Sequence, residues 1–542
     1  MAEPHTPSLA ALPGDGDPRR ALLFAGGGLR LSYQAGAALA LHEEGLTFTH
    51  FEGTSGGAIN LAMLLSGLTP REMCRRWRDV KVRDFLGMMP AGRYLRSETA
   101  VAIGGSAGLR RRAFPALGID YARVRAASGV DAWFTVYDFE RKATEAIPHS
   151  DLDEDILVAG LSLPGLLPPV KRRGRLYLDA GFVRDADPIE AVRRGAEELW
   201  IIWCLGDTPQ YLGGPARLYV QTLELCAVGA LHEDIARLAE INERIAGGEH
   251  VFGHTRPIRL HLIRPPRPLP LDPELYSGNV THAALIDMGY SDTVRYLRER
   301  SEHGSPLRPE ITQMEAQGTG ITFRETMAGA FALGETDPQA GAAAGRAAGT
   351  NLAMHANIAI DSMKAFVEDP AHLGGLTGHI DFTPWGTGIP ATLGVFNLFS
   401  PTDRPDMKYM VYEMQFRHEG ETYYLAGRKE VRGDRAGLDL WSDTTSLLTT
   451  LHRGEDASGP IVGAGTLSLG PDDLARLLST VRVSGALSLS ERALTIGMFG
   501  RFFTGELIDS YAGQLVGADA RWRRALRSVG RALRRILPFS RD

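Results

Sequence analysis

From Ala21 onward, short apolar runs alternate with longer stretches in which apolar residues recur every three to four positions. Residues 21–25 (Ala-Leu-Leu-Phe-Ala) read as a buried strand and run into three glycines; residues 34–44 read as a helix. Residues 47–52 predict a second strand, followed by a glycine-rich turn and a helix over about 58–65. Further strands are predicted over 132–137, 199–204 and 257–262, and a helix over 283–302. Strands alternating with helices imply an α/β fold with a mostly parallel sheet flanked by helices. Over 303–350 the pattern dissolves, and residues 338–349 are nearly all small, the composition of a linker. Beyond about residue 375 the period approaches two. Residues 409–416 and 422–425, joined through His418-Glu-Gly420, predict a β-hairpin, and 446–450, 463–469 and 481–487 predict more strands. A second, mainly β domain follows from that spacing.

These changes divide the chain into a flexible leader at 1–19, an α/β domain at 20–302, a linker region at 303–350, a β domain at 351–512 and a basic helix at 518–538. The 542 residues accord with two or three domains at roughly 100–200 residues each. With 44% hydrophobic and 23% charged residues, the chain is neither disordered nor collagen-like. A net charge of −6 argues against general nucleic-acid binding. Cys74, Cys204 and Cys226 are too few and too scattered for a disulfide framework or a metal knuckle. Residues 1–20 hold no apolar signal core, and no run of about 18 apolar residues occurs, so a cytoplasmic protein, or one peripheral to the membrane on that side, is expected.

Three segments carry candidate chemistry. Gly53-Thr54-Ser55-Gly56-Gly57 has the G-x-S-x-G form between a predicted strand and a predicted helix, the setting of a nucleophile elbow. The helix start would face a developing oxyanion, although a glycine-rich turn with an incidental serine fits the same letters. Gly26-Gly27-Gly28-Leu29-Arg30 follows the first strand, and consecutive glycines let backbone amides converge on an anion. Arg30 could add charge or lock that loop. Neither nucleotide-binding glycine pattern is completed there, and a plain turn is the other reading. Asp179, in Tyr177-Leu-Asp-Ala-Gly181, closes an apolar run among small neighbours, where burial would raise its basicity; an ordinary acidic turn is the alternative. His254 and His261 flank a predicted strand and read as structural more readily than as a catalytic base.

Together and in this order, the three segments resemble the patatin-like phospholipase family, with its G-G-G-x-R/K loop, its G-x-S-x-G turn and its D-G-G/A motif. Residues 159–169 are similar to the segment that precedes the aspartate in that family. The resemblance covers about residues 20–300. It implies a Ser55–Asp179 dyad acting through an acyl-enzyme, with Ser55 as nucleophile and Asp179 as base, and with no cofactor and no metal. It further implies an oxyanion hole drawn from Gly26, Gly27, Gly28 and Gly56, supported by Arg30, Gly53, Gly57 and Gly181. The sequence departs from the family pattern at Ala180, at Leu166 and Leu167 in place of an aromatic, and at Asp187, where the family often has Asn. The implied function is a lipid acyl hydrolase acting on phospholipids or related acyl lipids. An acyltransferase to an alcohol acceptor, or a lipid-binding protein with a vestigial site, are the alternatives. Residues 323–487 resemble a β domain appended to some bacterial lipid-related proteins, including certain cholesterol-oxidase-like flavoenzymes, through residues 394–399 and 439–445.

Residues 521–537 place Trp522, Ala525, Leu526, Val529 and Leu533 at helical spacing among arginines. This is the pattern of an interfacial helix, with Trp522, Arg523, Arg527 and Arg531 as candidate membrane contacts. A helix packed on its own domain with a solvated basic face has the same pattern. The sequence does not fix the oligomeric state.

Overall fold

The computed structural model describes residues 3–12, 14, 16–85, 87, 102–207, 211, 213–269, 280–314, 318–403, 407–432, 446–469, 477, 479–486 and 488–511. The chain forms two compact units, Met1–Ala316 and Gln317–Asp542.

The first unit is built on eight strands: β1 (Arg20–Phe24), β2 (His50–Thr54), β3 (Asp131–Asp138), β4 (Ala143–Pro148), β5 (Val170–Arg172), β6 (Arg175–Asp179), β7 (Glu198–Ile202) and β8 (Arg259–Ile263). They lie in the order β5-β6-β3-β2-β1-β7-β8, with β4 also paired to β3. From β3 to β8 all neighbours along this path are parallel; β4, β5 and β6 make an antiparallel edge. The alternation of side chains along β1 defines two faces. Leu22 and Phe24 join a core with helices α1 (Ser32–Glu43), α2 (Gly57–Leu65) and α5 (His282–Glu299). Ala21 and Leu23 join a second core with α3 (Pro188–Arg193) and the 32-residue α4 (Pro215–Ala246). The unit is therefore a three-layer α/β/α sandwich, and its central strands, covered on both faces, are continuous apolar runs.

The second unit carries β9 (Gly320–Leu333), β10 (Asn351–Ile360), β11 (Leu373–Phe382), β12 (Gly386–Pro401), β13 (Met407–His418), β14 (Glu421–Arg432), β15 (Ser446–Arg453), β16 (Ile461–Ser468) and β17 (Arg482–Ser484). β9 to β16 pair antiparallel in chain order, and β9 also pairs with β16, which closes an eight-stranded up-and-down barrel. Alternate residues fill it: Leu352, Met354, Ile358, Ile380, Phe382 and Met414 are all buried. The helix α7 (Leu489–Tyr511) packs Phe499 against Phe323, ring centroids 6.1 Å apart.

Two expected segments take another form. Within the leader expected at 1–19, the described residues include held ones: Leu9 is fully buried, and His5 and Ala10 bridge to Ala127 and Phe48. Leu9, in the short apolar run Leu9-Ala-Ala-Leu12, is the part of it that reaches the core. The linker at 303–350 contains β9 and the helix α6 (Pro338–Ala348), so the β domain begins near Gly320 rather than at 351. Alanine is the strongest helix former, Asp337 caps the first turn, and left-handed Gly349 ends the helix. A Cβ at Gly341 would stand 2.1 Å from the Ala464 carbonyl oxygen, so the small-residue composition reflects a helix lying close against β16. The basic segment at 518–538, like residues 439–445, lies outside the described residues.

Candidate active site

β2 delivers Ser55 into the two-residue turn, Ser55-Gly56, before α2. Its φ is 51°, a left-handed conformation that non-glycine residues seldom adopt, and it is held by the strand and helix on either side. The register of the sheet brings Asp179 to the same level. Thr54 pairs with Thr135 of β3, and the next residue of β3, Val136, pairs with Asp179 at the end of β6. The Ser55 hydroxyl donates to Asp179 Oδ2 at 2.8 Å. Asp179 Oδ1 accepts the Gly181 amide at 2.8 Å, and the Asp179 amide donates to the Ser162 carbonyl. The segment before the aspartate thus positions its backbone while Gly181 orients its carboxyl.

Burial is the main influence on the carboxyls here. It pushes Asp179 up to about 7, against the opposing pull of the Gly181 amide and the Ser55 hydroxyl. Asp185 is buried beside it. Its carboxyl stands well above the ordinary carboxylate range, through burial first and then through the Asp179 carboxyl. A Cβ at Gly26 would lie 2.0 Å from Asp185 Oδ1 and 2.8 Å from Ser55 Cβ, which shows how tightly these groups converge. Glu52, fully buried under the turn, is raised to about 7 by burial and by nearby Asp187. It accepts the Thr54 and Thr135 hydroxyls and the Asp187 amide, tying β2, β3 and the loop after β6 together.

The glycine loop sits at the end of β1, next to β2. The Gly26 amide donates to the Asp185 carbonyl at 3.2 Å, so Gly26 is a loop anchor and its N–H is not free to hold an oxyanion. No hydrogen bond within the described residues uses the amides of Gly27, Gly28 or Gly56. Arg30 is buried; it donates to the Gly27 carbonyl at 3.0 Å and to Glu224 of α4 at 2.7 Å. Arg30 therefore locks the loop. Asn60 of α2 donates to the Leu31 carbonyl and to Gln34, joining the serine helix to the same loop.

Residues 22–193 match the family model described as Patatin-like phospholipase. This segment is a patatin-like phospholipase domain. It runs from β1 to the end of α3, and contains the glycine loop, Ser55 and Asp179. Among solved structures the chain is similar to VipD from Legionella pneumophila, at 13% identity over 52% of this chain and 67% of that one, with a TM-score of 0.27. No curated protein matches the chain.

Within the patatin-like domain, Gly53 closes on α2 and Gly57 on β1: a Cβ would stand 2.8 Å from Ala58 Cα at the first and 2.0 Å from the Phe24 carbonyl oxygen at the second. Asp187 does not reach the dyad; its carboxylate caps α3 by accepting the Glu190 amide and pairs with Arg184. Neither histidine is at the site. His254 bonds the Val192 carbonyl, and His261 stacks on Trp200 beside Tyr296 and Glu198. Sequence reasoning missed Asp185, Glu52 and Glu224. Asp185 and Glu52 each stand within six residues of a motif aspartate or serine, a proximity that carries a signal only once the loop geometry is known. Glu224, 194 residues from its partner Arg30, carries none. Among the described residues, the one cluster of three side chains able to hold a metal ion is His355, His379 and Asp381, in the barrel. No described helix is long and apolar enough to cross a membrane.

Proposed function

We propose that this protein hydrolyses carboxylic ester bonds of phospholipids or related acyl lipids, as a serine esterase of the phospholipase A type. The observation that carries this reading is the 2.8 Å contact from a strained serine hydroxyl to a buried carboxyl within a patatin-like domain. In the proposed mechanism Ser55 attacks the acyl carbonyl carbon while its proton passes to Asp179 Oδ2. A base whose pKa lies near 7 is matched to work at neutral pH. The carbonyl oxygen, now anionic, is received by the Gly27 and Gly28 amides of the loop after β1 and by the Gly56 amide at the start of α2. Asp179 then protonates the departing alcohol and the acyl-enzyme forms. Water attacks the acyl-enzyme, losing its proton to Asp179, and the fatty acid leaves as Ser55 regains its hydrogen. Burial of Asp185 favours its neutral form and so limits negative charge beside the oxyanion.

The Arg-rich segment at 518–538 is the proposed contact with anionic membrane surfaces, through Trp522, Arg523, Arg527 and Arg531. The deciding experiment compares wild type, Ser55→Ala and Asp179→Asn on phospholipid vesicles and short aryl esters, with fluorophosphonate labelling in parallel. Fatty-acid release and labelling confined to wild type are expected; equal turnover by all three proteins removes the reading.

A further inference from the structure

The outer wall of the barrel carries a cluster that lipid hydrolysis does not use. Along β10 the buried residues are Leu352, Met354, Ala356, Ile358 and Ile360, so His355 lies on the opposite face, away from the barrel core. His379 and Asp381 of β11 alternate with buried Ile380 and Phe382 and share that outer face. His355 and His379 are directly opposed across the antiparallel pair, while Asp381 is opposite Ala353, the next outward position. One ligand atom from each of the three lies within 4.8 Å of the others.

Neighbouring strands orient two of these groups. The Thr326 hydroxyl, on the residue of β9 paired with His355, is 3.1 Å from His355 Nδ1. That contact directs Nε2 toward Asp381 Oδ2, 3.2 Å away. The other carboxylate oxygen, Oδ1, accepts the Gly388 amide of β12 at 2.6 Å. Partners behind the ligands, fixing ring orientation and carboxylate direction, are what a metal site requires. The two imidazoles stack with centroids 4.6 Å apart and planes 20° from parallel. An ion pair accounts for His355 with Asp381, and a metal ion would engage His379, opposed to His355 across the strand pair, as well.

Two imidazole nitrogens and one carboxylate oxygen are the donor set of a borderline divalent ion such as Zn2+. Ligand atoms about 2.0–2.2 Å from a tetrahedral ion stand about 3.3–3.6 Å apart. The Nε2–Oδ2 separation is already of that size, and the His379 ligand atom lies within 4.8 Å of both. We propose that His355, His379 and Asp381 bind one Zn2+, or a divalent transition-metal ion of similar character, on the outer wall of the barrel, with a fourth position open to water.

The test is titration of the full chain with Zn2+ by calorimetry and equilibrium dialysis, beside His355→Ala and His379→Ala variants verified by circular dichroism. Wild type is expected to bind one equivalent that each variant loses or holds at least tenfold more weakly, and Thr326→Val is expected to weaken binding less. Absence of zinc binding by wild type, or binding by both variants equal to wild type, overturns the proposal. Should an alanine variant fail to fold, Co2+ on wild type decides. A visible spectrum of a four- or five-coordinate site, abolished by one equivalent of Zn2+, supports the site; the spectrum of the aqueous ion overturns it.

Discussion

Arg30 and Glu224 meet at 2.7 Å with both side chains almost wholly buried, and the same guanidinium holds the Gly27 carbonyl. A peptide plane sets its carbonyl and the next amide in opposite directions, so fixing the Gly27 oxygen also fixes the Gly28 N–H. The ion pair thus orients one proposed oxyanion donor from a helix that lies beyond the matched domain. Removing one partner strands a buried charge. Arg30→Ala and Glu224→Ala are each expected to lose about 3–5 kcal/mol in urea denaturation, and the double variant less than the sum. Two additive losses would show that the groups do not act as a pair.

The buried Asp179 sets a pH dependence. The base must be ionised, so kcat/KM for an aryl ester is expected to climb as pH rises through about 7 and then level off. Asp179→Asn should lose at least about a thousandfold in kcat/KM and with it the step at pH 7. A wild-type profile that is flat from pH 5 to 9 would contradict the assignment of Asp179 as base.

Asp185 is raised well above the ordinary carboxylate range, chiefly by burial and then by the Asp179 carboxyl, which favours its neutral form. Asparagine has nearly the shape of a protonated aspartate. Asp185→Asn is expected to keep kcat/KM within about threefold of wild type and to leave the midpoint near pH 7 in place. If the residue were ionised in wild type, losing its charge would move that midpoint down, and the pH–rate profile reads this directly.

Glu52 makes stability itself depend on pH. Its folded-state pKa, about 7, lies above the ordinary 4.5, so the folded protein holds the proton more tightly than the unfolded chain. The resulting stabilisation is complete below the unfolded value and is lost as pH rises through the folded one. Glu52→Gln removes this contribution. Relative to the variant, wild type should lose about 2–3 kcal/mol between pH 5 and pH 8, measured by denaturant melts at each pH.

The α/β half was legible because its signals are local. Residues 21–25 are apolar on both faces, as a strand covered by helices on either side must be, and Gly53-Thr-Ser-Gly-Gly57 specifies a sharp turn by composition alone. The contact between Ser55 and Asp179 spans 124 positions and came from a resemblance, since no periodicity encodes it. Residues 338–349 misled because alanine and glycine are shared by linkers and by helices that pack tightly. The closure of the β half was not legible either. Period-two text predicts strands, but the pairing of β9 with β16 joins residues such as Leu333 and Gly463, far apart in sequence, and leaves no mark on either run.

That seam has a topological consequence. Every other join in the ring links consecutive strands and can zip from its own turn, whereas the β9–β16 join waits for the whole circuit. A chain cut short before Ile461 would leave the outer hydrogen-bonding sides of β9 and β15 bare, and such edges recruit further copies by strand addition. The last full strand is in that sense the ring's protection against self-association.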